Sequence, residues 1–271
     1  METAVLDRVA LQYEVTGSGE PIVFIHGALI ADSFHPVLHA SRLADRYRCI
    51  TYHRRGYERS TRATTPTAIE EHSADCAALL QYLDVPRAHV VGHSFGGVIA
   101  LSLAINTPHI VHTLTLLEPA LVLGANGPGY RSAIAANRAR FRAGDVDGTV
   151  DEFLRARFDS NYREALERVL PGAFAQAIAN AATAFEIDMP AAADFEFGEA
   201  QARGITQPAL LVLGAHSEAL WPRFGETHRL LSSWLPNVES YVLPHAAHGL
   251  QLQNPADIVT ALDAFFRKHP M

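Results

Sequence analysis

Short apolar runs of strand length recur along the chain, with turn residues between them. Most of these runs are continuous rather than alternating, which is typical of strands buried on both faces of a mainly parallel sheet. The predicted strands cover residues 10–15, 22–25, 47–52, 89–91, 114–117, 210–213 and 240–243. Helical patterns between them predict an α/β protein whose mostly parallel central sheet is flanked by helices.

Three helical segments have clear boundaries. The first is predicted from residue 65, because Thr65 suits an N-cap and Pro66 suits the first helical position. The second covers residues 95 to about 106 and stops before Pro108. The third covers residues 256–267 and presents one apolar face.

The strand pattern stops between residues 121 and 203, where alanine, arginine and spaced phenylalanines dominate, and it resumes at Gln207. We therefore predict a helical cap of residues 121–203, inserted into one core domain made of residues 1–120 and 204–271. Few charges are expected to face inward from this cap. Its phenylalanines accordingly predict a pocket for a small to medium apolar substrate.

Composition and charge exclude several classes of protein. The chain has 271 residues, of which 48% are hydrophobic, enough for one sizeable core. It carries 22 basic and 29 acidic residues and no dense basic block, which argues against nucleic acid and anionic membranes as partners. Residues 88–117 lack charged side chains, but a buried strand, helix and strand explain them better than a membrane span.

Cys49 and Cys76 fall in predicted buried elements, so reduced core thiols are expected. The N-terminal residues contain acidic side chains and no apolar stretch of signal-peptide length. Together these features predict a cytoplasmic protein. A monomer and a homodimer are both compatible with the sequence.

The first chemical motif is Gly92-His93-Ser94-Phe95-Gly96, which lies between an apolar strand and an apolar helix. A serine on such a sharp turn is strained and needs small neighbours, and its hydroxyl projects above the sheet. The N–H of Phe95 would then point at a developing oxyanion. The alternative is a tight turn in which Ser94 only caps the helix.

The second motif is His26-Gly27-Ala28, which follows another apolar strand at the same edge of the sheet. Acyl transfer needs two oxyanion donors, and the backbone N–H of Ala28 is the predicted second donor. His26 is expected to be structural, with its imidazole bonded to the loop backbone.

A serine nucleophile needs an imidazole base within hydrogen-bonding reach. His248 is the predicted base, because it lies in a glycine-flanked loop between the last strand and the last helix. His245 is its nearest competitor. The spacing of these two histidines also suggests a metal site, but no third ligand is nearby and no H-E-x-x-H motif occurs.

Taken together, these motifs resemble the α/β-hydrolase fold family over nearly the whole chain. The resemblance implies a serine hydrolase without a cofactor that cleaves carboxylic esters or lactones. A serine in the elbow argues against the epoxide hydrolases and haloalkane dehalogenases of this fold, which use an aspartate there. Residues 52–60 resemble the family's loop after the fourth strand, although His53 and Glu58 replace its usual aspartate and second glycine.

The acid of the triad departs from the commonest family pattern. Many members place it three residues beyond a glycine that follows the strand matching residues 210–213. Counted from Gly214, that position is Ser217, which cannot carry the charge. Glu218 is one residue late and is an alternative acid rather than a match.

Glu118 is the predicted acid, because it directly follows the strand predicted at residues 114–117. One helix and one strand separate it from Ser94, which returns the chain to the same sheet edge. The remaining possibilities are Asp32 or no acid at all. If Glu118 were only a favourable charge at the start of the cap, it would have no catalytic role.

Other activities share this set of residues. Serine triads of this fold also serve carbon–carbon bond hydrolases, perhydrolases and amidases, and related scaffolds support cofactor-free oxygenases. A rival from another class is a ligand-binding homologue that keeps the pocket without turnover. In each case the expected partner is a small molecule.

Overall fold

The computed structural model describes residues 1–39, 42–63, 65–158 and 161–271, and of Arg42 the backbone only. Its strands are β1 (Glu2–Val5), β2 (Ala10–Thr16), β3 (Glu20–Ile25), β4 (Tyr47–Tyr52), β5 (Ala88–His93), β6 (Val111–Leu117), β7 (Ala209–Gly214) and β8 (Val238–Leu243). All seven predicted strands are present. The unpredicted β1 is a short edge strand in which only Ala4 is buried, so it carries almost no hydrophobic signal.

The eight strands form one sheet in the order β1-β2-β4-β3-β5-β6-β7-β8. β2 runs antiparallel to β1 and β4, and the other neighbouring pairs are parallel. The predicted mostly parallel sheet is confirmed. Because β3, β5, β6, β7 and β8 share one direction, the residues that follow them meet at one sheet edge.

Helices cover both faces of the sheet. The helices outside the span between β6 and β7 are α1 (His35–His39), α2 (Ile69–Tyr82), α3 (Phe95–Asn106), α11 (Ser217–Leu220), α12 (Arg223–Trp234), α13 (Leu250–Gln253) and α14 (Pro255–Lys268). Along β4, Ile50 packs in one apolar cluster with α2 and α3, whereas Cys49 packs in another with α1 and α14. This burial on both faces explains the continuous apolar runs.

The first predicted helix begins later than expected. Ala68 is the residue before α2, with an extended backbone, and the helix starts at Ile69 rather than near Thr65. Thr67 is buried and its hydroxyl donates to the carbonyl of Thr65, which holds this segment outside the helix. Burial of Thr67 therefore overrides the local Thr-Pro signal.

Between β6 and β7 the described chain contains only helices. They are α4 (Gly127–Arg142), α5 (Val146–Arg155), α6 (Tyr162–Val169), α7 (Ala173–Ala179), α8 (Ala181–Thr183), α9 (Met189–Asp194) and α10 (Glu199–Arg203), with a π-helical turn at Ala184–Asp188. Apolar residues of these helices form a third cluster with Leu29 and Ile30 of the loop after β3. The inserted helices thus pack over the sheet edge where the predicted site lies.

The two cysteines and the uncharged segment of the sequence both lie inside the fold. Cys49 and Cys76 are buried and unpaired. No helix within the described ranges combines the length and apolar character needed to cross a membrane. The uncharged segment of residues 88–117 is instead accounted for by β5, α3 and β6, nearly all of which is buried.

Candidate active site

Ser94 occupies a strained turn between β5 and α3. Its backbone has φ 51° and ψ −115°, a conformation that residues with a side chain rarely adopt. The turn also requires glycine, because a Cβ on Gly96 would come within 2.0 Å of the carbonyl oxygen of Ile25. The close approach of backbone segments thus explains the small residues of the motif.

His248 links Ser94 to Glu118. Its Nδ1 lies 2.7 Å from Glu118 Oε2, and its Nε2 lies 2.9 Å from Ser94 Oγ. An ionised carboxylate only accepts hydrogen bonds, so Nδ1 carries the proton in this pair. The Nε2 of the neutral imidazole is then left to accept the Ser94 hydroxyl proton, which is the arrangement that a general base needs.

Glu118 follows β6 and is almost completely buried. The N–H of Gly214, at the end of β7, donates to Glu118 Oε1 at 2.7 Å. The backbone of the serine turn is also joined to the segment that carries Glu118, because Ser94 N–H donates to the Leu117 carbonyl at 3.0 Å. Burial raises the pKa of Glu118 to about 7, and the Gly214 hydrogen bond opposes this shift.

The competing candidates lie elsewhere. Glu218 is exposed and accepts a hydrogen bond from Arg229 at 2.8 Å. Asp32 bonds His53 through one carboxylate oxygen and Gln176 through the other. His245 is exposed, whereas His248 is buried beside Ser94. Of the candidate acids, only Glu118 lies within hydrogen-bonding distance of His248.

The two predicted oxyanion donors flank Ser94. Phe95 is the first residue of α3, and Ala28 lines the same cavity as Ser94. Among the described residues, neither backbone N–H donates to a protein acceptor. The loop that carries Ala28 is close to the serine, since a Cβ on Gly27 would come within 3.2 Å of Ser94 Cβ. Both donors are therefore available to a bound oxyanion.

His26 makes the structural contacts expected for it. Its Nδ1 lies 2.7 Å from the Gly27 carbonyl oxygen, and its Nε2 accepts the backbone N–H of Arg54 at 3.1 Å. Because the carbonyl can only accept, Nδ1 carries the proton and the ring is neutral. Burial also lowers the pKa of His26 well below its ordinary value.

His93 holds His248 in place, a contact that the sequence did not suggest. Its Nε2 donates to the His248 carbonyl at 2.8 Å, and its Nδ1 accepts from Gln251 at 3.0 Å. Phe224 stacks on the His248 ring with a centroid distance of 4.3 Å. Burial, together with the charges of Arg223 and Arg157, lowers the pKa of His248 well below its ordinary value, so the imidazole is neutral near pH 7.

A small cavity opens at Ser94, and one of its walls is charged. Most of the wall is apolar, with Ile30, Phe153, Leu154, Phe158 and Leu252. The charged residue in this lining is Arg157, which is buried. Burial lowers the pKa of Arg157 to about 9.

The loop after β4 joins the site to the inserted helices. Arg54 and Tyr57 in this loop both donate hydrogen bonds to the buried Asp188 carboxylate, at 2.6 and 2.5 Å. Glu58, which replaces the family's second glycine, has φ 48° and so keeps the left-handed backbone that the glycine would adopt. This network was not predicted, because Arg54 and Asp188 have no local pattern that distinguishes them from surface charges.

Comparison with known proteins identifies the family. A sequence model of the alpha/beta hydrolase fold matches residues 20–255. The chain belongs to the α/β hydrolase fold family. The fold and family predicted from the motifs are thereby confirmed.

The relatives of this α/β hydrolase include a hydrolase of Bacillus subtilis. An uncharacterized hydrolase, YraK of Bacillus subtilis, is 39% identical over 126 residues, which are 45% of this chain and 46% of YraK. The matched segment thus spans less than half of that relative's length. The relatives' names, as hydrolases and esterases, agree with the prediction of an enzyme.

Solved structures share the fold of this α/β hydrolase over nearly its whole length. An esterase from Thermogutta terrifontis superposes with a TM-score of 0.81 at 19% identity and covers 99% of both chains. The enol-lactonase from Burkholderia xenovorans superposes with a TM-score of 0.78 at 20% identity, covering 98% of this chain and 100% of that one. At these identities the likeness concerns the fold alone.

Proposed function

We propose that this α/β hydrolase cleaves a carboxylic ester or lactone through an acyl-enzyme on Ser94. The observation that carries the proposal is the hydrogen-bonded series in which His248 contacts Ser94 at 2.9 Å and Glu118 at 2.7 Å. A serine hydroxyl is a weak nucleophile until a neighbouring base accepts its proton. This geometry supplies that base and a carboxylate to orient it.

In the first step Ser94 Oγ attacks the ester carbonyl while His248 Nε2 accepts the hydroxyl proton. The carbonyl oxygen becomes an oxyanion that the N–H groups of Ala28 and Phe95 stabilise. The Glu118 carboxylate stabilises the imidazolium that forms. Collapse of the intermediate breaks the bond to the leaving oxygen, which takes the proton from His248 and departs as an alcohol.

In the second step water hydrolyses the acyl-enzyme. His248 Nε2 accepts a proton from the water, whose oxygen attacks the acyl carbon. The same two N–H groups hold the second oxyanion. When this intermediate collapses, Ser94 recovers its proton from His248 and the carboxylic acid leaves. A lactone follows the same path, with the alcohol and acid remaining in one product molecule.

The names of the structural neighbours are compatible with this chemistry. An esterase and an enol-lactonase both act on acyl–oxygen bonds. Because they share only the fold with this chain, they do not select between esters and lactones.

The proposal extends to the organisation of the chain. Residues 121–203 would act as a cap over a core of residues 1–120 and 204–271, since their helices pack on Leu29 and Ile30 beside the cavity. The unpaired buried thiols of Cys49 and Cys76 are compatible with the cytoplasm. Limited proteolysis that releases the core without the inserted helices would contradict a cap folded onto that core.

The test is intact-mass measurement after incubation with a fluorophosphonate, because this probe needs no knowledge of the substrate. Wild-type protein should gain one adduct, and Ser94→Ala should gain none while keeping its circular dichroism spectrum. Ser33→Ala is a matched control, since Ser33 lines the same cavity but its buried hydroxyl has no partner among the described residues. This variant should label like the wild type.

Unlabelled samples of the same three proteins are then screened with p-nitrophenyl esters and aryl lactones. Hydrolysis by the wild type and by Ser33→Ala, but not by Ser94→Ala, would support the proposal. Absence of labelling in a folded wild type would overturn it in favour of a protein that binds ligands without turnover. Unfolding of Ser94→Ala would mean that the serine has a structural role.

A further inference from the structure

The wall of the Ser94 cavity contains a buried guanidinium. Arg157 follows α5 and has 5% of its surface exposed. It lines the cavity together with Ser94 and His248. Its backbone is fixed relative to the base, because the Arg157 carbonyl accepts the N–H of His248 at 3.1 Å. Arg157 is therefore held beside the loop that carries His248.

Within the described part of the chain, Arg157 has no carboxylate partner. Its Nη1 donates to the carbonyl of Phe153 at 2.9 Å. The guanidinium carbon lies 3.4 Å from the ring centroid of Phe153 and 4.7 Å from that of Trp221. Aromatic faces attract a cation, but they do not neutralise its charge. A buried charge without a counter-ion is costly, and arginine forks are well suited to bind carboxylates.

A second buried guanidinium strengthens the positive potential. Arg223 Nε and Nη1 have no hydrogen-bond partner among the described residues, and its guanidinium carbon lies 4.6 Å from the Trp221 ring centroid. Trp221 therefore contacts both arginines. The nearby Glu118 carboxylate is already engaged by His248 and Gly214. Positive charge in this region thus exceeds the negative charge that the described residues supply.

We propose that Arg157 binds a carboxylate of the substrate, so that the preferred ester or lactone carries a negative charge as well as the bond to be cleaved. The inference rests on the proposed function of Ser94. The apolar residues that line the cavity together with Ser94 and Arg157 suit a short carbon chain. A monoester of a short dicarboxylic acid, or a lactone with a carboxylate substituent, has the required chemistry.

The test compares two esters of equal length. One is the mono-p-nitrophenyl ester of adipic acid, and the other is the corresponding ester of adipic acid monoamide, which is neutral. The wild type should hydrolyse the acid with a kcat/KM at least about tenfold higher than the amide. Arg157→Met should bring this ratio to about one by lowering kcat/KM for the acid alone, and Arg157→Lys should recover part of the preference.

Arg163→Met is the matched control. Arg163 also stacks on a phenylalanine, with its guanidinium carbon 3.7 Å from the Phe174 ring centroid, but it is exposed and does not line the cavity. This variant should keep the wild-type ratio. Loss of the preference in Arg163→Met as well as in Arg157→Met would overturn the assignment to Arg157.

A measurement on unmodified protein guards against misfolding of the variants. Adipate should slow fluorophosphonate labelling of Ser94, whereas adipamide at the same concentration should not. Normal labelling with no protection by adipate and equal rates on the two esters would overturn the carboxylate site and leave the proposed function intact. Failure of labelling altogether would overturn both.

Discussion

Asp188 accepts two hydrogen bonds from the guanidinium of Arg54, at 2.6 and 3.2 Å, although 134 positions separate the two residues. Both side chains are almost completely buried. Arg54 also donates to the carbonyls of His26 and Gly27, in the loop that carries Ala28. One ion pair therefore ties the inserted helices to the loop that carries Ala28, the proposed oxyanion donor.

Asp188→Asn should destabilise the protein by about 3 kcal/mol, because it leaves the buried guanidinium without a counter-charge. Urea unfolding followed by circular dichroism measures this loss. Glu164→Gln is the control, since Glu164 pairs with Arg168 on the exposed surface and the midpoint should not move. Equal midpoints for Asp188→Asn and the wild type would mean that the buried pair contributes nothing to stability.

Glu118→Gln should lower kcat by about 10³–10⁴-fold, because an amide can neither impose the required tautomer on His248 nor stabilise its cation. Glu218→Gln should leave kcat unchanged, since Glu218 contacts Arg229 on the surface. Steady-state kinetics on one p-nitrophenyl ester distinguishes the two variants. The reverse order would transfer the acid role to Glu218.

Activity should rise with pH through about 7. The proposed mechanism requires ionised Glu118 and neutral His248. Burial raises the pKa of Glu118 to about 7, and burial lowers the pKa of His248 well below its ordinary value. Protonation of Glu118 therefore limits activity on the acidic side, although the measured value belongs to the hydrogen-bonded pair. A profile of kcat/KM on a neutral ester between about pH 5 and pH 9 measures this limb.

In Glu118→Gln the limb near pH 7 should disappear from the residual activity, because only His248 then titrates and it does so at lower pH. Persistence of the limb in this variant would assign it to another group.

Gly96→Ala should destabilise the protein by more than about 3 kcal/mol, because the new Cβ would lie 2.0 Å from the Ile25 carbonyl oxygen and 2.6 Å from that of His26. These are backbone atoms of the sheet edge and cannot rotate away. Gly129→Ala is the control, since nothing lies within 4 Å of its added Cβ in α4. It should gain about 0.5–1 kcal/mol from helix propensity. Thermal unfolding of both variants gives the comparison.

The sequence predicted every strand of the sheet except β1, and it predicted much of the candidate site, because both depend on local patterns. Continuous apolar runs identify strands buried on two faces, as in β5 and β6. Glycine motifs and element lengths place Ser94, His248 and Glu118 at one sheet edge. One helix and one strand separate Ser94 from Glu118 in the sequence. This count favoured Glu118 over Glu218, because each strand of a parallel sheet returns the chain to the same edge.

The buried charges could not be predicted in the same way. Arg54 pairs with a residue in a distant segment, and Arg157 enters the cavity only because its segment folds over Ser94. In a sequence, such arginines are indistinguishable from the solvated arginines that predominate in proteins. Hydrophobic periodicity carries no information about which distant charges meet, so the sequence did not single out Arg157 as a lining residue of the pocket.

The carboxylate that contacts His248 follows β6. The connection between β7 and β8 is therefore less constrained in sequence than it would be if it carried that carboxylate. Ser94 and Glu118 follow neighbouring strands, and at the end of β7 the Glu118 carboxylate accepts the Gly214 N–H. Trp221, farther along that connection, contacts the two guanidiniums, and among the ring contacts of the described residues it reaches His248 only through Phe224. We therefore expect substitutions at Trp221 to change which molecules are accepted more than they change the contacts of His248 with Ser94 and Glu118.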